Sequence, residues 1–197
     1  MSVKPIAIAN IAVKIGLLGL LALAVLRPEM QQFQGKAMTG RALTYPIAVV
    51  IVPLVWVILR RNRPGLAYPH VLDMCLALPF LIDTAGNALD LYDSIDWWDD
   101  LNHFGNWAIL TFAFGQLLFG KRFSPWVILG LAVGFGAIAG IMWEIAEYFT
   151  FVRNSPELAT AYTDTLGDLA LDLTGALLAA LITIWLVSRR ERGVADI

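Results

Sequence analysis

The stretch Tyr162–Ala176 reads Tyr-Thr-Asp-Thr-Leu-Gly-Asp-Leu-Ala-Leu-Asp-Leu-Thr-Gly-Ala, and it decides how the rest of the chain must fold. It opens a long apolar run, yet it carries Asp164, Asp168 and Asp172. At about 100° per residue on an α-helix, these carboxylates and Gly175 fall on one face. That face cannot point at lipid, because a carboxylate in hydrocarbon costs several kcal/mol. The other helices must therefore supply partners or water.

The composition of the chain is that of an integral membrane protein. Of its 197 residues, 58% are hydrophobic and only 15% are charged, and the mean hydropathy is +0.69. A net charge of −2 gives no basic surface that would suggest nucleic acid as a partner. The single cysteine, Cys75, excludes an internal disulfide and a cysteine-based zinc site. The lipid bilayer is therefore the first partner that the sequence predicts.

Apolar runs of the length needed to cross a bilayer recur along the whole chain. They predict six transmembrane helices, at about residues 5–26, 42–59, 68–92, 103–119, 125–149 and 163–187. No soluble domain, linker or internal repeat interrupts them. We therefore expect residues 1–197 to form one all-α membrane domain, a polytopic helix bundle.

The distribution of basic residues predicts the orientation of this bundle. Nine of them fall on one side, namely Lys4, Arg60, Arg61, Arg63, Lys121, Arg122, Arg189, Arg190 and Arg192. The other side has Arg27, Lys36, Arg41 and Arg153. By the positive-inside rule both termini are cytoplasmic, and the chain is expected to be a multi-pass protein of the bacterial inner membrane.

Polar side chains of four predicted helices converge at the outer end of the membrane. The rise of an α-helix, about 1.5 Å per residue, gives the depth of each residue in the membrane. Seven polar residues fall at the same depth: Asp83, Asp90, His103, Glu144, Glu147, Asp168 and Asp172. Several of these acids lie toward the C-terminal ends of their helices, where the helix dipole disfavours negative charge. No lysine or arginine is expected in this layer apart from Arg153, which cannot balance so many acids. Either a bound cation or shared protons must stabilise them.

Oxygen ligands with one imidazole suit a divalent ion such as Mg²⁺, Mn²⁺, Ca²⁺, iron or zinc. Carboxylates on facing helices are also the arrangement of di-metal sites in helix bundles. All seven residues of the layer are therefore candidate metal ligands, and His103 and Glu144 are candidate acid/base residues. Asp99 precedes His103 by four residues and would orient it if the fourth helix began early. The structural alternative is a buried network of protonated carboxyls.

Two further features are predicted to serve packing. Lys14 and Asp73 lie in the inner half of the first and third predicted helices, where a mutually neutralising pair is the cheapest arrangement. The stripe Gly136-x-x-x-Gly140 leads at helical spacing into Glu144 and would let another helix approach closely.

Three motifs resemble the YjdF-like family of bacterial inner-membrane proteins, for which no activity is established. They are Trp98-Asp99-x-x-x-His103-Phe104, then Trp143-Glu144-x-x-Glu147-Tyr148, then Tyr162-x-Asp164-Thr165-x-x-Asp168-x-x-x-Asp172-x-x-Gly175-Ala176. A weaker likeness, to VanZ-like membrane proteins, is limited to the last two predicted helices. The resemblance covers about residues 83–180 and implies that the acids and the histidine act as a set, without implying an activity.

Three functions are compatible with this pattern, and the sequence leaves open whether the protein is an enzyme. The first is a metal site open to the outer face that acts on an envelope lipid or lipid-linked substrate. The second is a cation or proton transporter, for which the polar path toward the cytoplasm, with only Lys14 and Asp73 below Asp83, is incomplete. The third is a non-catalytic accessory subunit of a larger membrane complex.

Overall fold

The structure, a computed structural model, describes residues 5–195, and their side chains except at positions 151, 157 and 191–195. Over these residues the chain forms eight α-helices and no strand. The helices are α1 (Pro5–Leu26), α2 (Met38–Thr44), α3 (Pro46–Asn62), α4 (His70–Ala88), α5 (Leu91–Ser94), α6 (Trp98–Gln116), α7 (Pro125–Glu147) and α8 (Ala161–Ala195). A single π-helical turn, Tyr148–Val152, continues α7.

Five helical segments in the described part of the chain are long and apolar enough to cross a membrane. They are Pro5–Leu26, Met38–Asn62, His70–Ala88, Pro125–Thr150 and Ala161–Arg190. The 19-residue helix α6 has the length but is less apolar, and with it these segments correspond to the six predicted helices. The predicted all-helical, polytopic membrane fold is confirmed. The orientation stays a prediction, and Lys4 and the side chain of Arg192, on which it partly rests, lie outside the described residues.

The helix boundaries differ from the prediction where polar residues lie next to apolar runs. The third predicted helix ends at Ala88, before the expected residue 92, because Asp90 adopts a left-handed backbone conformation with φ of 60°. The fourth begins at Trp98 instead of residue 103, since Asp99 and Asp100 in its first turn are favoured by the positive end of the helix dipole. The second begins at Met38, which places Arg41 inside a helix.

The chain divides into two compact units, the first ending at Trp98 and the second beginning at Asp99. The first unit holds α1 to α5, and the second holds α6, apart from its first residue, together with α7 and α8. Each unit contains its own buried polar cluster, and the two are described separately below. The prediction of one membrane domain over residues 1–197 stays a prediction.

The predicted pair of Lys14 and Asp73 is confirmed in the first unit. The ammonium of Lys14 lies 2.6 Å from Oδ2 of Asp73, whose side chain is fully buried. Asn10 and Tyr68 donate to the same oxygen at 2.7 and 2.5 Å. Burial, together with this hydrogen bond to Asp73, raises the pKa of the Tyr68 phenol, so the phenol stays a donor. The buried carboxylate is thus balanced by one cation and two neutral donors.

The same lysine also donates to a backbone carbonyl of α3 that lacks its usual helical donor. Pro53 has no N–H and therefore cannot bond to the carbonyl of Val49, one helical turn earlier. Lys14 donates to that carbonyl at 2.9 Å. One ammonium group thus links α1 to both α3 and α4.

Candidate functional site

His103 is the centre of a buried polar cluster in the second unit. It lies in the second turn of α6 with 5% of its side chain exposed. Its Nδ1 atom is 2.9 Å from Oδ1 of Asp172, a hydrogen-bond distance between two buried side chains. When the Nδ1 proton is donated to Asp172, the ring is held in one orientation and its lone pair lies on Nε2.

Three more carboxylates surround the same imidazole. Oδ1 of Asp168 lies 3.8 Å from Nε2, and Oδ1 of Asp99 lies 3.9 Å from it. On the other side of the ring, Oε1 of Glu144 lies 3.8 Å from Nδ1. Asp168, Asp172 and Glu144 are buried, whereas half of the Asp99 side chain is exposed. The sequence analysis expected Asp99 to lie near His103 only if this helix began early. It does begin early, at Trp98.

These residues form two overlapping groups that could hold a metal ion. Asp99, His103 and Asp168 make one, and His103, Glu144 and Asp172 make the other, with ligand atoms in each group within 4.8 Å of one another. Oε1 of Glu144 and Oδ2 of Asp172 are both buried and have no hydrogen-bond partner among the described residues. Buried polar atoms without a partner are rare, because each costs the desolvation of the group.

Glycines bring the helices of this cluster close together. A Cβ at Gly140 would lie only 2.6 Å from Oδ2 of Asp172, and one at Gly136 would clash with the Cβ of Ala176. The predicted close approach of a helix to the Gly136/Gly140 stripe is therefore confirmed, and the helix is α8. On α8 itself, a Cβ at Gly175 would clash with the carbonyl oxygen of Phe104 in α6. Small residues thus place α8 against both α6 and α7 at the level of the acids.

Of the seven predicted site residues, the structure brings together His103, Glu144, Asp168 and Asp172. Glu147 is partly buried three residues beyond Glu144 and belongs to neither group. Asp90 is exposed, immediately before α5.

Asp83 belongs to the first unit, where it already has a cation. Arg41 donates to it through two nitrogens, at 2.8 and 3.1 Å, and Tyr45 and Tyr92 donate at 2.7 and 3.1 Å. The side-chain amide of Asn87 donates to the same carboxylate at 3.4 Å. The expectation that no arginine lies among the predicted acids is therefore wrong. A long side chain four residues before Tyr45, at the edge of an apolar run, was the signal that could have revealed it.

The fold and the cluster define a multi-pass helical membrane protein with a buried acid–histidine site. Residues 11–189 match the model of a family described as predicted membrane protein (DUF2238), and the chain belongs to this family. The family is consistent with the YjdF-like resemblance.

A protein of Thermotoga maritima, described only as uncharacterised, is 37% identical over 120 residues. The matched region is 58% of this chain and 59% of that relative. No solved structure matches the chain. The comparisons thus establish a membrane protein family and leave its chemistry to be inferred from the site.

Proposed function

We propose that the second unit binds a divalent metal ion beside His103 and acts on an envelope lipid or lipid-linked substrate at the outer face of a bacterial inner membrane. The observation that carries this proposal is the orientation of one ring. Nδ1 of His103 bonds to Asp172, and Nε2 is directed toward the carboxylates of Asp99 and Asp168. Carboxylate–histidine–metal arrangements have this form, with the carboxylate holding the ring while the other nitrogen binds the ion.

The charge balance of the cluster also favours a bound cation. Four carboxylates surround one imidazole, and even a protonated imidazole supplies a single positive charge. A buried, unpaired carboxylate costs several kcal/mol, even after relaxation of its surroundings. A divalent ion removes most of this cost, whereas sharing protons would leave neutral carboxyls that still lack hydrogen-bond partners.

The proposal gives these residues different roles. His103, Asp99 and Asp168 are the proposed ligands, and Asp172 positions the imidazole. Glu144 is the proposed acid/base group, because its Oε1 is buried beside the ring and has no partner among the described residues. The proposal does not extend to Asp83, whose charge is balanced by Arg41.

A divalent ion at this site would supply a water that is acidic near neutral pH. Glu144, buried beside the ring, would be this chain's own group for taking a proton from the attacking water, and the hydrolysed bond would lie in a substrate presented at the membrane boundary. A lipid or a lipid-linked molecule is the natural substrate there, because it diffuses in the bilayer that surrounds the helices. The product would be a lipid that has lost its ester-linked or phosphate-linked group.

The test is metal content after purification in mild detergent, with Zn²⁺, Mn²⁺ and Mg²⁺ each supplied in turn. We expect one equivalent of a divalent ion in the parent protein and a loss of about tenfold or more in affinity for Asp168→Asn. Asp100→Asn, an exposed acid in the first turn of the same helix, is the matched control and should bind normally.

Absence of any divalent ion from the parent protein, under all three conditions, would remove the metal proposal. Release of headgroup or phosphate from bacterial polar lipids, dependent on Glu144, tests the substrate class. Cation flux into vesicles that depends on Asp168, without lipid turnover, would instead favour the transporter alternative.

A further inference from the structure

A cleft of about 740 Å³ opens at the end of the second unit where α6 finishes, α7 begins and α8 approaches its end. Its volume lies within the roughly 300–1,000 Å³ of typical ligand sites. The cleft is lined by Phe119, Gly120, Lys121, Arg122, Phe123, Ser124, Pro125, Leu186, Val187 and Arg190. No acidic residue is among them.

The polar half of this cleft is strongly positive. Lys121, Arg122 and Arg190 are all exposed, and no carboxylate of the described residues lies within ion-pair distance of them. The N-terminus of α7, a helix of 23 residues, opens into the same cleft with Ser124 as its cap. Its partial positive charge adds to that of the side chains. An anion is therefore the complementary ligand.

The other half of the cleft is apolar and suits a molecule that is only partly in water. Phe119, Phe123, Leu186 and Val187 lie beside the three cations. One turn before Arg189, the exposed ring of Trp185 carries the Arg189 guanidinium 4.1 Å above its centroid. Exposed tryptophans and arginines of this kind mark the boundary between hydrocarbon and headgroups.

The spacing along the helices places this boundary opposite the acid–histidine site. On α7, 19 residues separate Pro125 from Glu144, and on α8, 22 residues separate Asp168 from Arg190. At about 1.5 Å per residue these distances are roughly 29 and 33 Å. The hydrocarbon core of a bilayer is about 30 Å thick, so the two sites fall at its two boundaries.

We propose that this basic cleft binds the phosphate headgroup of an anionic phospholipid, with an acyl chain lying against its apolar half. Basic pockets between transmembrane helices recognise anionic headgroups by the same combination of charge and apolar contact. The ligand is a membrane lipid in preference to a soluble anion, because the apolar part of the lining can contact an acyl chain but has no favourable interaction with a phosphate ion. This inference goes beyond the proposed metal chemistry and does not depend on it.

The experiment compares lipid retention by native mass spectrometry after reconstitution in phosphatidylcholine nanodiscs that contain a minority of phosphatidylglycerol. We expect the full-length protein to retain phosphatidylglycerol preferentially. The variant Lys121→Gln/Arg122→Gln/Arg190→Gln should retain it about tenfold less. The matched control is Arg60→Gln/Arg61→Gln/Arg63→Gln, which removes the same charge from the end of α3 and should retain the lipid normally.

The controls make the outcome decisive. Equal loss in both triple variants would show general surface attraction and overturn the site, as would no loss in the cleft variant. Retention of inorganic phosphate by detergent-purified protein, abolished by the cleft substitutions and unaffected by phosphatidylglycerol, would overturn the lipid assignment in favour of a soluble anion. Thermal unfolding in detergent should stay unchanged in both variants, because all six residues are exposed.

Discussion

Gly175 of α8 lies so close to the carbonyl oxygen of Phe104 in α6 that a Cβ would clash with it. Phe104 follows His103 directly, and Gly175 lies three residues beyond Asp172. This backbone contact therefore determines how closely α6 and α8 approach each other where His103 meets Asp172. The two side chains are 2.9 Å apart there.

Replacing Gly175 by alanine should separate the two helices. Because the clash is with the backbone, no rotamer change can relieve it, and we expect a loss of about 1–3 kcal/mol in the free energy of unfolding. Metal affinity should fall with it, as measured by titration of the detergent-purified protein. Gly167→Ala, on the same helix but with nothing within 4 Å, should leave metal affinity unchanged and should not lower the free energy of unfolding, because alanine favours the helix. Equal effects at both positions would contradict the role assigned to this contact.

Replacing Asp172 by asparagine should weaken the metal site without removing a proposed ligand. The amide cannot hold the imidazole as the carboxylate does, and positioning groups of this kind are worth about 10- to 100-fold in metal affinity. Isothermal titration with the bound ion measures the loss. Asp164→Asn, an exposed acid on the same helix and outside both ligand groups, is the control. Metal affinity that is unchanged in Asp172→Asn would show that the hydrogen bond to His103 has only a structural role.

Replacing Glu144 by glutamine should abolish most of the proposed lipid turnover while leaving metal binding intact. The glutamine keeps the shape of the side chain but cannot accept a proton, so turnover of lipid substrate should fall by about 10²–10⁴. Metal content should stay near that of the parent protein, because Glu144 is not one of the three proposed ligands. Loss of the ion together with activity would instead place Glu144 in the metal's own ligand set.

Replacing Lys14 by methionine should destabilise the first unit. The change leaves the fully buried carboxylate of Asp73 without its cation, and breaking a buried pair from one side costs about 3–5 kcal/mol. Thermal unfolding in detergent measures the loss. The double variant Lys14→Met/Asp73→Asn should recover part of it, since the charge is then removed from both sides. A double variant less stable than Lys14→Met would contradict the pairing.

The sequence allowed much of the second unit's site to be predicted, because helical spacing fixes which residues share a face. Asp168 and Asp172 follow that spacing, and Glu144 follows the glycine stripe, so their meeting at His103 could be anticipated. The surroundings of Asp83 could not be predicted. Its partner Arg41 lies 42 residues earlier in the chain, and helical periodicity says nothing about which faces of distant helices meet.

The division of these residues into two ligand groups, with Asp99 in one of them, could not be predicted from the sequence. Asp99 and Glu147 both carry carboxyl groups and each lies near a predicted helix end, yet only Asp99 belongs to a group. The difference depends on where α6 begins, and helix boundaries shift with local capping and tertiary contacts.

Helix α6 lies outside the five described segments that are apolar enough to cross a membrane, and it carries the histidine on which the site depends. During biosynthesis it leaves the ribosome before α7 and α8, whose carboxylates and glycines accommodate its polar face. Its own side chains give the translocon a weak signal for release into lipid. We therefore expect stable integration of α6 to follow synthesis of α8, so that assembly of the polar cluster and completion of the topology occur together, late in biosynthesis.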